Sequence, residues 1–154
     1  MKKNEDEKWM RIALEEAECA WNEGEIPVGA VIVSDGQVVA RVHNLCECEG
    51  DATAHAECLA IRAACRSRHS WRLSDCTLYV TLEPCPMCAG AAVNARVGRV
   101  VYGAKDARMG ACDSLINLFS YPLEARPVCE GGVLEEESLS LLRSFFEKKR
   151  KTEK

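Results

Sequence analysis

A histidine and a glutamate one residue apart, His55-Ala56-Glu57, are followed thirty positions on by a tight pair of cysteines in Pro84-Cys85-Pro86-Met87-Cys88. Together they offer one imidazole, two thiols and a carboxylate. His55, Cys85 and Cys88 are of the types that ligate zinc. A structural zinc is normally closed by four protein ligands, whereas a catalytic zinc keeps its fourth position for water. One neutral imidazole and two thiolates cancel the charge of the ion, so a water at that position loses its proton more readily than beside three thiolates. Bound zinc brings the pKa of water from about 16 to near 7, and an adjacent carboxylate can take that proton and deliver it elsewhere. Glu57 is therefore the expected catalytic residue, base first and acid afterwards. The Cys-x-x-Cys pair alone is equally a redox pair or half of a four-cysteine structural site. The upstream His-x-Glu and the prolines around Cys85 favour the catalytic alternative.

Such residues need rigid supports. Trp9, Met10, Ala13, Leu14, Ala17 and Trp21 recur at helical spacing after an acidic start and predict a first amphipathic helix ending near Gly24. Val28 to Val33 and Val38 to Val42 read as two strands joined by Ser34-Asp35-Gly36, a hairpin signal. Asn44 to Gly50 is polar and reads as irregular. Asp51 or Thr53 is the expected cap of a second helix, with His55 and Glu57 in its first turn. Thr77 to Thr81 reads as a buried strand that leads into Pro84-Cys85-Pro86. Proline suits the first helical position, which puts Cys85 at a cap and Cys88 one turn inside. Both halves of the motif then open helices, where exposed amides favour thiolate. Arg99 to Tyr102 predicts a fourth strand, Pro127 to Cys129 a fifth, and Leu134, Leu141, Leu142, Phe145 and Phe146 a last helix. This order predicts one domain over residues 1–154, a three-layer α/β/α arrangement around a mixed sheet of about five strands.

Composition narrows the class further. The chain has 154 residues, 47% of them hydrophobic, enough for one core. Its longest stretch without charge, Pro84 to Ala95, is far too short to span a bilayer, so no membrane partner is expected. No apolar segment follows Lys2 and Lys3, so no secretory signal is expected and a cytoplasmic location is. Several of the ten cysteines fall in helical apolar runs, as at Cys19, Cys58, Cys65 and Cys88, which indicates reduced thiols. Cys46-Glu47-Cys48 reads as loop thiols without a role. The net charge of −4 disfavours general nucleic-acid binding, but the charge is segregated. Arg62, Arg66, Arg68, His69 and Arg72 form one basic zone, and Lys148, Lys149, Arg150, Lys151 and Lys154 a second.

The His-x-Glu with Pro-Cys-x-x-Cys signature is that of the zinc nucleobase deaminases, and the chain resembles the cytidine deaminase superfamily. It is most similar to the bacterial tRNA-specific adenosine deaminases, through Trp9-Met10, Pro27 to Val31, Thr53 to Glu57, Thr81 to Ala91, Arg99 to Asp106, and Phe145-Phe146 with its basic tail. The resemblance implies a cytidine deaminase-like fold, one Zn2+ per subunit, a homodimer, and hydrolytic conversion of adenosine to inosine at the wobble position of a tRNA anticodon. It also implies attack at C6 of the base, with Glu57 protonating N1 and later the departing ammonia. Asn44 and Ala56 would contact the target nucleotide, and Glu25 and Asp106 would line the path of the anticodon stem-loop. The C-terminal lysines are the expected phosphate contacts. Relatives carry a proline where this chain has Ala52 and a basic residue with proline where it has Leu45-Cys46, which predicts a loop more flexible in the free protein. Two rivals stand: a deaminase of free guanine or cytosine with the same machinery, and a non-catalytic zinc or RNA-binding module.

Overall fold

The computed structural model describes residues 2–152; Lys154, one of the basic tail residues, lies outside them. In chain order the elements are α1 (Lys2–Asn22), β1 (Gly29–Ser34), β2 (Gln37–His43), α2 (Cys46–Glu49), α3 (Ala56–Arg68), β3 (Thr77–Leu82), α4 (Pro86–Asn94), β4 (Arg99–Ala104), β5 (Val128–Glu130) and α5 (Glu135–Thr152). The five strands form one sheet in the order β2-β1-β3-β4-β5. β1 runs antiparallel to β2 and β3, while β3, β4 and β5 are mutually parallel neighbours. The expected three-layer α/β/α architecture with a mixed five-stranded sheet is what the chain forms.

Side-chain alternation along the strands separates the layers. Val31 and Val33 of β1, Tyr79 of β3 and Val101 of β4 pack with Trp9, Met10 and Ala13 of α1. Ala30, Ile32, Leu78, Val80 and Val100 point to the other face, onto Ala56, Ala60, Ile61 and Ala64 of α3 and Ala89 and Ala92 of α4. α5 lies beside α1, where Trp21 meets Phe145 edge to face at 5.4 Å. The small residues are required by close approach. A Cβ on Gly29 would stand 2.0 Å from the carbonyl oxygen of Ala13, so α1 rests its backbone directly on β1. The β1–β2 turn has Asp35 at φ 51° and Gly36 at φ 71°, the paired positive angles of a hairpin whose twist matches its strands.

Three local expectations are corrected. The acidic start is already helical, because Asp6 is buried and accepts both guanidinium nitrogens of Arg99 at 2.7 Å and the Tyr79 hydroxyl at 2.9 Å. That cluster fastens the first turns of α1 to β3 and β4. Cys46 to Glu49 is a helical turn rather than irregular chain. α3 is entered through His55 itself: Asp51 instead accepts the amide and hydroxyl of Thr53 in a turn ahead of the helix, at 2.8 and 2.7 Å.

Candidate metal and active site

The two motif halves meet because β3 and α4 deliver Cys85 to the N-terminus of α3. His55 is the N-cap of α3 and Cys85 the N-cap of α4, both with extended backbone, and Pro86 occupies the first position of α4 as its sequence predicts. Glu57 and Cys88 follow within the first turn of their helices. His55 Nδ1 stands 3.6 Å from Cys85 Sγ and 3.4 Å from Cys88 Sγ, and the three ligand atoms lie within 4.8 Å of one another. A tetrahedral zinc with bonds near 2.1 Å to nitrogen and 2.3 Å to sulfur sets N···S edges of about 3.6 Å. The spacing of these side chains fits that ion, and the donor set of one nitrogen and two sulfurs suits its softness.

Electrostatics match the placement. The Cys85 thiol is pushed down to about 4, chiefly by hydrogen bonding to Cys88, with His55 and the Cys88 backbone amide adding to it. Cys88 is shifted up by its sulfur neighbours Cys58 and Cys85, as expected where packed thiols share protons. Glu57 is buried, and burial raises its carboxyl to about 7.

Next to the triangle opens a cavity of about 620 Å³, whose lining includes Asn44, His55, Glu57 and Cys85. Asn44 Oδ1 accepts the Ala56 amide at 2.8 Å, so its remaining hydrogen-bonding group toward the cavity is the NH2. Ala56 itself does not line the cavity; its amide serves to orient Asn44. Asp106 lines it and closes a turn, its Oδ1 accepting the amides of Arg108 and Met109.

Glu25 requires correction, because it is neither on the surface nor on the cavity wall. Its carboxylate is 1% exposed and accepts the amides of Glu47 at 3.0 Å and Cys48 at 2.6 Å. The loop that was expected to be slack is therefore a helical turn pinned by a buried charge. Glu83 does the same on the opposite wall. Its Oε1 accepts the amide of Asp106 and the hydroxyl of Ser114, and its Oε2 accepts the amides of Cys112, Asp113 and Ser114. Only the acid directly after an apolar strand hinted at this role in sequence.

Another wall is α5, which presents Leu139, Leu142, Arg143, Phe146, Glu147 and Arg150 at helical spacing. Its cavity-facing cations are thus Arg143 and Arg150, joined by Lys105 and Arg108 from the other wall. Lys148 turns away and sits 5.6 Å over the Trp21 ring. The basic zone from Arg62 to Arg72 runs along α3 to its far end, where Arg68 pairs with Asp75 at 2.7 Å; it does not line the cavity.

Residues 3–104 match the family model described as the cytidine and deoxycytidylate deaminase zinc-binding region. The tRNA-specific adenosine deaminase of Bacillus subtilis is 48% identical, over 97% of this chain and 94% of that protein. A structure solved in a study of A-to-I editing by tRNA:A34 deaminases at the wobble position is 45% identical, with a TM-score of 0.85 over 88% of this chain and 99% of that one. Guanine deaminase from Bacillus subtilis is 37% identical, with a TM-score of 0.62 over 92% and 93%. The chain belongs to the zinc-dependent cytidine and deoxycytidylate deaminase family, on the branch of the tRNA-specific adenosine deaminases.

Proposed function

We propose that this protein hydrolyses adenosine to inosine at the wobble position of a tRNA anticodon, as a cytoplasmic homodimer with one zinc ion per subunit. The observation that carries the reading is the His55, Cys85 and Cys88 triangle on the wall of a cavity rimmed by Lys105, Arg108, Arg143 and Arg150. Among the described residues no helix is long and apolar enough to cross a membrane. Met109, Leu115, Ile116 and Tyr121, all exposed in the β4–β5 connection, are the surface a second copy would cover.

His55, Cys85 and Cys88 would hold the zinc. When bound there, zinc supplies a water of lowered pKa for hydrolysis. Glu57 lies in the first turn of α3 and lines the cavity together with His55 and Cys85, where it would move protons to the base nitrogen and then to the departing ammonia. The Asn44 NH2 offers a hydrogen bond to an acceptor of the bound nucleotide, while Asp106 shapes the wall that a flipped base must pass. The arginines of α5 suit the phosphates of a loop that enters the cavity.

The likeness to a guanine deaminase makes a free base the second reading. Four cations in the lining, Lys105, Arg108, Arg143 and Arg150, set against the outer acids Asp106 and Glu147, favour a phosphate-bearing polymer over a neutral small molecule. Incubation with an anticodon stem-loop should yield inosine at the wobble position, and Glu57→Gln should abolish turnover while zinc content and RNA binding persist. Turnover confined to free guanine or cytosine would refute the tRNA reading, and deamination by Glu57→Gln at the parent rate would refute the role of Glu57.

A further inference from the structure

A fourth thiol stands against the ligand triangle without belonging to it. Cys58 Sγ lies 3.7 Å from Cys88 Sγ, at the contact distance of two sulfurs. Cys58 is the third residue of α3 and Cys88 the third of α4, so the two helices bring corresponding positions of their first turns together. The metal-type group comprises His55, Cys85 and Cys88 alone, and Cys58 is absent from the cavity lining. Cys88 is fully buried, whereas Cys58 is partly exposed. Solvent therefore reaches Cys58 from outside the substrate cavity, directly beside a ligand sulfur.

A disulfide needs its sulfurs at about 2.05 Å. The 3.7 Å separation leaves about 1.7 Å to close between them. Cys58 has no role in the zinc site as read above, and among the described residues its thiol makes no hydrogen bond other than the contact with Cys88.

We propose that Cys58 and Cys88 form an oxidisable pair through which peroxides release the metal and stop the enzyme reversibly. The proposal rests on the zinc reading of the preceding subsection. Attack of the Cys58 sulfur on a peroxide breaks the O–O bond, leaving a sulfenic acid and, for hydrogen peroxide, one water. Attack of the Cys88 thiolate on that sulfenic sulfur forms the S–S bond and expels hydroxide, which takes a proton from solvent to become water. One thiol and one thiolate lose two electrons, and one hydrogen peroxide becomes two waters with one proton from the Cys58 thiol and one from solvent. Cys88 then has no thiolate to give the metal, and only His55 and Cys85 remain. A thiol reductant reverses the step by exchange.

The rival is a disulfide between Cys85 and Cys88, which any Cys-x-x-Cys site can form. Zinc-loaded protein is treated with hydrogen peroxide while a chromogenic chelator reads released zinc, and unreduced peptides are mapped by mass spectrometry. The expected results are one linked peptide pair joining Cys58 to Cys88, loss of zinc in step with it, and recovery of zinc content after dithiothreitol and zinc. Cys58→Ser should keep its metal over the interval in which the parent loses it. Loss of zinc from Cys58→Ser at the parent rate, or a map showing only Cys85 joined to Cys88, overturns the proposal. Protein that binds no zinc before treatment overturns the metal reading instead, and the peptide map then decides the thiol pair by itself.

Discussion

Glu83→Gln keeps the shape of a side chain whose carboxylate accepts five hydrogen bonds and removes its charge. Oε1 takes the amide of Asp106 and the Ser114 hydroxyl; Oε2 takes the amides of Cys112, Asp113 and Ser114. Glutamine retains one oxygen, and the better of its two orientations leaves that oxygen with the three amides. The Ser114 hydroxyl can rotate to accept from the new NH2, but the Asp106 amide then faces a donor. One charge-assisted bond is lost, at about 1.5–3 kcal/mol, and three become neutral bonds of roughly half the strength. The sum is about 4–7 kcal/mol against the closed form of the wall.

Opening of residues 105–114 relieves part of that cost, because the freed amides then reach water. The loss should therefore divide between global stability and order of this wall. Urea unfolding should show a fall in stability smaller than the full sum, and hydrogen exchange should show the amides of Asp106, Cys112, Asp113 and Ser114 losing protection. Zinc content should be unchanged, since neither ligand helix is touched. KM for an anticodon stem-loop should rise well over tenfold, at about 1.4 kcal/mol per factor of ten, with kcat less affected. Parent-like protection of those four amides, or a parent-like KM, would refute the assignment of Glu83 as the anchor of the wall.

Asp6→Asn should cost about 3 kcal/mol at neutral pH, the scale for breaking a buried ion pair. Burial disfavours the charge on Asp6, but hydrogen bonds from Arg99 and Tyr79 outweigh it and hold the carboxyl below its usual range. A depressed carboxyl stabilises fully above its unfolded pKa of about 3.9 and loses that contribution as the pH falls through the folded value. The parent should lose stability on acidification below pH 4 more steeply than Asp6→Asn, as followed by circular dichroism. Arg143→Ala and Arg150→Ala, tested for stem-loop binding across a salt titration, should each flatten the slope of log affinity against log salt by about 1. An unchanged slope would remove them from the phosphate path.

The residues of the proposed site were legible as a cluster because their signal is local. A His-x-Glu and a Cys-x-x-Cys each fix their geometry within one helical turn, and Pro86 marks where the second turn begins. The strands were legible for the same reason, since alternation and the Asp35-Gly36 turn are written in neighbouring residues. What sequence hid were the buried acids. Asp6, Glu25 and Glu83 look like solvated carboxylates, and each is buried only because its donors come from distant positions: Arg99 for Asp6, the first amides of α2 for Glu25, and the 106–114 amides for Glu83. Backbone amides carry no sequence identity, so no motif announces that they converge. The Cys46 to Gly50 stretch was misread for that reason, its helical turn being held from Glu25.

A division of labour follows from how these parts are supported. The proposed ligands and Glu57 sit at the first turns of α3 and α4, packed on one face of the sheet, where small residues such as Ala56, Ala60 and Ala89 leave little room for change. The walls around them are the segment after β4, held by Glu83, and one face of α5, while the α2 turn held by Glu25 follows the cavity-lining Asn44 without lining the cavity itself. One buried carboxylate, Glu83, thus fixes the wall that faces α5 across the proposed site. Altered residues between the anchors change the shape and charge of the cavity without disturbing the triangle of His55, Cys85 and Cys88. The same core can in this way serve a base within RNA or a free base, which accounts for one fold aligning with both kinds of deaminase. In this chain we assign the selection to Lys105, Arg108, Arg143 and Arg150, lining cations that a free purine does not need and a phosphate backbone does.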